Sequence, residues 1–176
     1  MVDRERPPTR NTKPETQAET LVIGLGNPIL GDDGVGWHIA RQVEAIWGDK
    51  NRSPAVDFLC VSVGGLSLME HLEGYRRAII LDAITTGSQA IGSVHSSPLE
   101  KLADLSSGHS SSAHDTSLRT AMTVGRKMGF ALPDKIWVVA IEIEPNREFT
   151  EGLSAATSAA LPEAASLALK QLERWK

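Results

Sequence analysis

The feature that most constrains the fold is the alternation of two hydrophobic patterns along the chain. From Leu21 onward, short β-rich apolar runs alternate with longer stretches whose apolar residues recur at three- and four-residue spacing. This alternation is typical of strands joined by helical crossovers. Strands that are apolar throughout are expected where both faces of a sheet are covered. The predicted fold class is therefore α/β, a three-layer sandwich with an open, mostly parallel twisted sheet covered by helices on both faces.

The same patterns give the element boundaries. Five strands are predicted, with the fourth near an edge of the sheet, at Leu21–Leu25, Val56–Val61, Ala78–Leu81, Ala90–His95 and Ile136–Ile143. Helices are predicted at Asp33–Trp47, Leu66–Leu72 and Asp115–Met128 and over the C-terminal stretch. The inward positions expected in the third helix are Leu118, Met122, Val124 and Met128. Those expected on one face of the C-terminal helix are Leu161, Ala165, Ala168, Leu172 and Trp175. Pro162 is expected in the first turn of that helix, where its missing N–H does no harm.

The length of 176 residues fits one domain with a substantial core. The first twenty residues are polar and proline-rich and contain no apolar stretch of the kind found in signal peptides. We therefore predict a disordered polar tail over residues 1–20 and a single α/β domain over residues 21–176. The longest apolar runs are far shorter than the roughly 18 to 20 residues that cross a bilayer, so we expect no membrane insertion.

Charge and cysteine content narrow the class of protein further. The net charge is −4, and no long run of one sign offers a surface for a polyanion, so nucleic acid is not an expected partner. Cys60 is the one cysteine, which excludes an internal disulfide framework and any Cys-x-x-Cys site. It is interpreted as a small apolar residue rather than a nucleophile. These observations fit a reducing compartment, and we predict a cytoplasmic protein.

The densest motif runs from Gly24 to Gly36, where the first strand meets the first helix. A dinucleotide site would need its third glycine at position 29, and Ile29 stands there. Asp32 and Asp33 at the helix start would also repel a phosphate that approaches the same amide groups. Nucleotide binding is therefore excluded at this turn. The ordinary interpretation of both carboxylates is helix capping.

A family resemblance begins at this motif. The residues Gly26-Asn27-Pro28, followed by Gly31-Asp32-Asp33-Gly34-Val35-Gly36, resemble the opening motif of the NiFe-hydrogenase maturation endopeptidases. Further blocks that resemble the family follow in the same order, at residues 72–75 with 79–83, at 112–114, and at 143–145 with 151–154. One departure is Ser62-Val63-Gly64, where the family usually carries a Gly-Thr pair. The departure puts the choice of hydrogenase partner in question and does not involve the residues to which the resemblance assigns metal contacts, Asp33, Asp82 and His114.

The resemblance implies an α/β peptidase that removes a C-terminal extension from the large-subunit precursor of a NiFe hydrogenase after nickel insertion. By position, the family's metal-contacting and catalytic residues would be Asp33, Asp82 and His114. The nickel would be supplied by the substrate precursor, and the isolated protein would accept another divalent cation. His114 stands at the end of Ser106–Ser117, a serine-rich segment that we predict to be a surface loop.

The chemistry of these residues agrees with the resemblance. Ligands of open α/β sheets bind beyond the carboxyl ends of strands, and Asp33 and Asp82 each follow a predicted strand. Two carboxylates and an imidazole suit a borderline divalent ion such as nickel, although spacing does not separate nickel from zinc. The chain carries no His-Glu-x-x-His helix of an ordinary zinc protease.

Taken singly, the site residues also have ordinary structural interpretations: Asp82 could cap the turn after its strand, and His114 could cap a helix. His95 has no matched partner in the sequence and is interpreted as a surface or packing residue.

Two other functions remain open at this point. The run Ile23–Pro28 also resembles the start of peptidyl-tRNA hydrolases, but Asp32-Asp33 replaces their His-Asn pair and the negative charge suits tRNA poorly. A non-catalytic chaperone that binds the precursor is the third interpretation. It stays open because neither a Gly-x-Ser-x-Gly elbow nor a catalytic cysteine motif is present.

Overall fold

Five strands form one sheet in the computed structural model, which describes residues 18–51, 56–63, 65–102, 113–145, 149–150 and 152–176. The strands are β1 (Thr20–Leu25), β2 (Val56–Val61), β3 (Arg77–Ile84), β4 (Val94–Pro98) and β5 (Lys135–Glu142). Their order in the sheet is β2-β1-β3-β5-β4. All neighbours pair in parallel except β4, which runs antiparallel to β5 at the edge. The predicted open, mostly parallel sheet is confirmed.

Helices cover both faces of this sheet. They are α1 (Val35–Asn51), α2 (Gly65–Leu72), α3 (Leu99–Leu102), α4 (Ala113–Lys127) and α5 (Ala155–Arg174), and a 3-10 turn at Gly31–Gly34 precedes α1. Side chains of α1 and α5 share one hydrophobic cluster, whereas α2 and α4 contribute to the other. The three-layer arrangement follows from these two clusters. In the described part of the chain, no helix has the length and apolar character that a membrane crossing requires.

The central strand β3 shows why the sheet needs both layers. Ile79 and Leu81 belong to the cluster beneath α1 and α5, whereas Ala78 and Ile80 belong to the cluster beneath α2 and α4. All four residues are buried. Each fully buried aliphatic side chain stabilises the fold by about 1.5 to 3 kcal/mol. A continuous apolar run is therefore expected in a strand that packs on both faces.

The chain enters the fold earlier than predicted. The tail was expected to extend to residue 20, but Ala18 is buried and Thr20 begins β1. Glu19 accepts a hydrogen bond from the Arg77 guanidinium at 2.7 Å. The predicted tail is therefore wrong for residues 18–20, and its remainder, residues 1–17, lies outside the described residues.

The edge strand and β3 also differ from their predicted bounds. The fourth strand begins at Val94 rather than Ala90, because a turn with Gly92 at φ +88° precedes it. The third strand continues three residues beyond Leu81, since β5 pairs with it as far as Ile84. In β3, Asp82 and Ala83 interrupt the apolar run, whereas at β4 the apolar Ala90 and Ile91 lie at the turn before the strand and not in the strand. The position of β4 at the edge of the sheet is confirmed.

Two helices depart from their predictions. In α4, Leu118 and Met122 are buried as expected, but Val124 and Met128 are 40% and 69% exposed. The helix begins at Ala113, so the last five residues of the predicted serine-rich loop are helical, and residues 106–112 lie outside the described part. Pro162 lies inside α5 rather than in its first turn. The earlier start is set by Ser154, whose Oγ accepts a hydrogen bond from the Thr157 N–H at 3.3 Å.

Candidate active site

The glycines of the Gly24–Gly36 motif allow the loop and α1 to pack closely on the strand ends. Gly26 has φ +115°, and a Cβ there would overlap the carbonyl of Asp33. A Cβ on Gly36 would lie closer than 3.0 Å to the carbonyl oxygens of Leu25 and Leu81. These glycines are therefore required for backbone packing. The result is that Asp33 lies directly above the ends of β1 and β3.

The two neighbouring carboxylates of the motif bind different segments. The Asn27 N–H donates to Asp33 Oδ2 at 2.7 Å, which fixes this carboxylate across its own loop. The Ser154 N–H donates to Asp32 Oδ1 at 2.6 Å, which ties the loop to the start of α5. Both donors lie outside the 3-10 turn. The interpretation of both carboxylates as helix caps is therefore wrong, and each carboxylate binds a different backbone N–H group.

Asp82 lies inside β3, at a gap in the sheet. The pairing of β1 with β3 ends at Gly24 and Leu81, whereas β3 continues beside β5. The chain passes from β1 to β2 on one side and then crosses to β3 on the other, so the gap is the topological switch point of the sheet. Asp82 Oδ1 accepts a hydrogen bond from the Ala83 N–H at 2.8 Å. This bond lies within the strand.

Asp33 and Asp82 line the same cleft, which has a volume of about 220 Å³. Its remaining lining residues are Leu25, Gly26, Asn27, Ser62, Val63, Ala83, Thr85 and Ile143. Ser62 donates from its hydroxyl to the Gly26 carbonyl at 2.8 Å, which ties the loop after β2 to the motif. The site therefore combines two carboxylates with a wall of polar and apolar side chains. The departure from the family at Ser62 and Val63 lies in this wall.

His114 is the second residue of α4, in the first turn of the helix. Its side chain lies outside the part of the chain that the structure describes. Among the described residues, no group of three His, Cys, Asp or Glu side chains is close enough to hold a metal ion. The structure thus brings together Asp33 and Asp82, and the contribution of His114 stays a prediction.

A buried ionisable pair beside the cleft was missed by sequence reasoning. Glu142 is 0% exposed at the end of β5, and His95 is 8% exposed on β4. His95 Nε2 lies 3.2 Å from Glu142 Oε2, so the interpretation of His95 as a residue without a partner is wrong. The available signal was a glutamate within an otherwise buried strand, because a buried carboxylate requires hydrogen-bond donors.

Cys60 is half-buried at the end of β2 and packs against the cluster beneath α1 and α5. Burial raises the pKa of its thiol; Arg41 opposes this shift and Glu44 adds to it. A raised pKa lowers the thiolate fraction and therefore the nucleophilicity. The environment agrees with a packing role.

Comparison with known proteins gives a consistent result. A family model described as hydrogenase maturation protease matches residues 38–171. The hydrogenase expression/formation protein HupD of Rhizobium leguminosarum bv. viciae is 24% identical over 162 residues, covering 92% of this chain and 78% of HupD. The delta subunit of coenzyme F420 hydrogenase from Methanothermobacter thermautotrophicus is 30% identical over 69 residues, covering 38% and 44% of the two chains.

Solved structures share the fold over nearly the full length. The hydrogenase maturating endopeptidase HybD from Escherichia coli superposes with a TM-score of 0.72 at 24% identity, covering 89% of this chain and 93% of that chain. The NiFe hydrogenase maturation protease HybD from Thermococcus kodakarensis gives a TM-score of 0.62 at 24% identity, covering 87% and 98%. The family match decides against the peptidyl-tRNA hydrolase interpretation. The chain belongs to the hydrogenase maturation protease family, and it is a peptidase.

Proposed function

We propose that this peptidase removes the C-terminal extension of the nickel-loaded large-subunit precursor of a NiFe hydrogenase, and that Asp33, Asp82 and His114 contact the substrate's nickel. The observation that carries the proposal is the shared cleft of Asp33 and Asp82 at the switch point of the sheet. Open α/β sheets bind their ligands at this place. The family supplies the class of substrate, a hydrogenase precursor.

The donor set supports a divalent ion as the recognised group. Two carboxylates in one cleft attract a cation, and their oxygens with one imidazole nitrogen form a set that suits borderline ions. The Asn27 N–H holds one oxygen of Asp33, which fixes the direction of that carboxylate before the substrate arrives. A precursor without nickel would bring no cation to these groups. Cleavage would then report that metal insertion is complete.

The position of His114 along α4 supports its part in the set. His114 stands one helical turn before Leu118 in the chain. Leu118 is buried in the same cluster as Leu25, the last residue of β1 before the motif loop. The first turn of α4 therefore belongs to the layer that packs against this side of the sheet.

Binding of the precursor's tail along the strand ends would hold the scissile peptide beside the two carboxylates. Fixing the reacting groups in this way supplies much of the catalysis. Water attacks the carbonyl carbon, the C–N bond breaks, and the leaving amine takes up a proton. Two routes for activating the water are compatible with the cleft: a carboxylate takes its proton, or the nickel of the substrate polarises the reacting groups.

The test is tail removal from a co-expressed, nickel-loaded precursor, measured by the intact mass of the large subunit. Asp33→Asn and Asp82→Asn keep the side-chain shape and an oxygen acceptor, and we expect both to block trimming, as does His114→Ala. Asp134→Asn is the matched control, because Asp134 is exposed next to the amino end of β5. It should trim the precursor normally.

The outcomes separate the parts of the proposal. Normal trimming by all three site variants would refute the assigned roles. Trimming of a nickel-free precursor by the unsubstituted protein would refute recognition of the metal. Binding of the nickel-loaded precursor without any cut would refute the proposed substrate.

A further inference from the structure

Glu142 carries a fully buried carboxylate that is surrounded by donors. Its Oε1 accepts hydrogen bonds from the backbone N–H groups of Thr86 and Gly87 at 2.7 and 2.8 Å. Its Oε2 accepts from the Thr86 hydroxyl at 2.7 Å and lies 3.2 Å from His95 Nε2. The side chain is 0% exposed. Four polar groups from two segments therefore converge on one carboxylate.

The backbone of Glu142 is held as firmly as its side chain. Its N–H donates to the Ser93 carbonyl at 2.9 Å, and its own carbonyl accepts from the Gly92 N–H at 2.8 Å. The next residue, Ile143, donates its N–H to the Ile84 carbonyl at 2.8 Å. These bonds join the end of β5 to the start of β4 and to the end of β3.

The segments tied to Glu142 form one wall of the cleft. Thr85 stands between the end of β3 and the Thr86–Gly87 turn, and Ile143 follows Glu142; both line the cleft that holds Asp33 and Asp82. Gly87 is exposed, so the turn has access to water. Water could accept hydrogen bonds from the N–H groups of an exposed turn, whereas burying a carboxylate is costly unless its donors are fixed. The Glu142 carboxylate therefore holds the Thr86–Gly87 turn in one defined geometry, which solvent would not do.

We propose that Glu142 is a positioning residue for the peptidase reaction. It acts through the Thr86–Gly87 turn to hold Thr85 and Ile143 in place beside Asp82. The inference rests on the proposed function, since the cleft is taken to hold the scissile peptide. A displaced wall would misplace that peptide relative to the carboxylates, and a shift of about 1 Å can lower a rate roughly 100-fold.

The test compares Glu142→Ala with Glu142→Gln in steady-state trimming of purified nickel-loaded precursor. Glu142→Ala should lower kcat at least about tenfold and change KM less than about twofold, since wall geometry acts on the bound peptide. Glu142→Gln should stay within about threefold of the unsubstituted kcat, because its amide oxygen accepts both N–H groups and its amide N–H donates to the Thr86 hydroxyl. Rescue by glutamine separates a role in hydrogen-bonded geometry from a role of the negative charge.

Leu172→Ala provides the control for lost stability. Leu172 is buried near the end of α5 and does not line the cleft. Its truncation should lower the melting temperature while kcat changes less than about twofold, because a cavity there leaves the cleft wall intact. Equal losses of kcat in Glu142→Ala and Leu172→Ala, compared at the same folded fraction, would overturn the inference.

Amide hydrogen exchange gives a readout that does not depend on activity. The Thr86 and Gly87 N–H groups should be protected in the unsubstituted protein and in Glu142→Gln, and should exchange at least about tenfold faster in Glu142→Ala. Unchanged protection would overturn the role of Glu142 as the anchor of the turn. Failure of the unsubstituted protein to trim would instead overturn the proposed function, and the positioning role with it.

Discussion

Because α1 lies close to the strand ends, we predict that alanine has opposite effects on the free energy of unfolding at two glycines of this helix. At Gly36, an added Cβ would lie within 3.0 Å of the carbonyl oxygens of Leu25 and Leu81, which belong to the paired backbones of β1 and β3. At Gly48, on the same helix, an added Cβ would meet nothing within 4 Å. Gly36→Ala and Gly48→Ala are therefore a matched pair.

The size of each stability change depends on which backbone segments can move to accommodate the added Cβ. Neither strand can yield without breaking sheet hydrogen bonds, so in Gly36→Ala the helix must retract from its buried contacts at Val35 and Ile39. Overpacking costs about 1 to 3 kcal/mol and occasionally more, and two backbone clashes place this variant near about 3 kcal/mol. Gly48→Ala should stabilise by about 0.5 to 1 kcal/mol, because it lowers the backbone entropy lost on helix formation.

Urea denaturation followed by circular dichroism measures both changes, and thermal melts check them. At about 2 to 4 °C per kcal/mol for a chain of this size, Gly36→Ala should melt roughly 6 to 12 °C lower and Gly48→Ala roughly 1 to 4 °C higher. Trimming should fall only in Gly36→Ala, because the displaced start of α1 directly follows the 3-10 turn that carries Asp33 of the cleft. A Gly36→Ala protein as stable as the unsubstituted one would refute the packing argument.

Two further predictions concern the start of α5 and the cysteine. Ser154→Ala removes the acceptor of the Thr157 N–H and should lower the free energy of unfolding by about 1 kcal/mol in urea denaturation. Ser166→Ala, at an exposed position inside α5, should be neutral or slightly stabilising. Equal losses of stability in the two variants would contradict the role of Ser154 as the helix cap. Because burial raises the pKa of Cys60, its alkylation at pH 8 should be slower in the folded protein than in urea, and Arg41→Ala should slow it further by removing an attraction that lowers the pKa. Equal rates in the folded and unfolded protein would contradict the burial.

The central strands could be predicted from the sequence because burial on both faces leaves a continuous apolar run. The inner face of α4 could not, since Ala121 is buried and Gly125 packs against Met69, whereas the larger Val124 and Met128 lie outside. The buried positions 118, 121, 122 and 125 keep the three- and four-residue spacing of a helix, but the residues at 121 and 125 are small. Size alone therefore gave the wrong inward positions.

The candidate site shows the same division. The family motif and the strand ends were enough to predict that Asp33 and Asp82 share a cleft, which the structure shows. The role of Asp32 could not be predicted, because its partner is the N–H of Ser154, 122 positions away. Glu142 was missed for a related reason: its partners come from the Thr86–Gly87 turn and from β4, whose positions depend on the whole sheet.

The most direct measurement is anomalous diffraction at the nickel absorption edge from crystals of the protein soaked with Ni²⁺. The account predicts an anomalous peak in the cleft between the carboxylates of Asp33 and Asp82, with the imidazole of His114 within coordinating distance of the same ion. A His114 side chain on the far side of the molecule, or a nickel ion held by other residues with the cleft left empty, would contradict it.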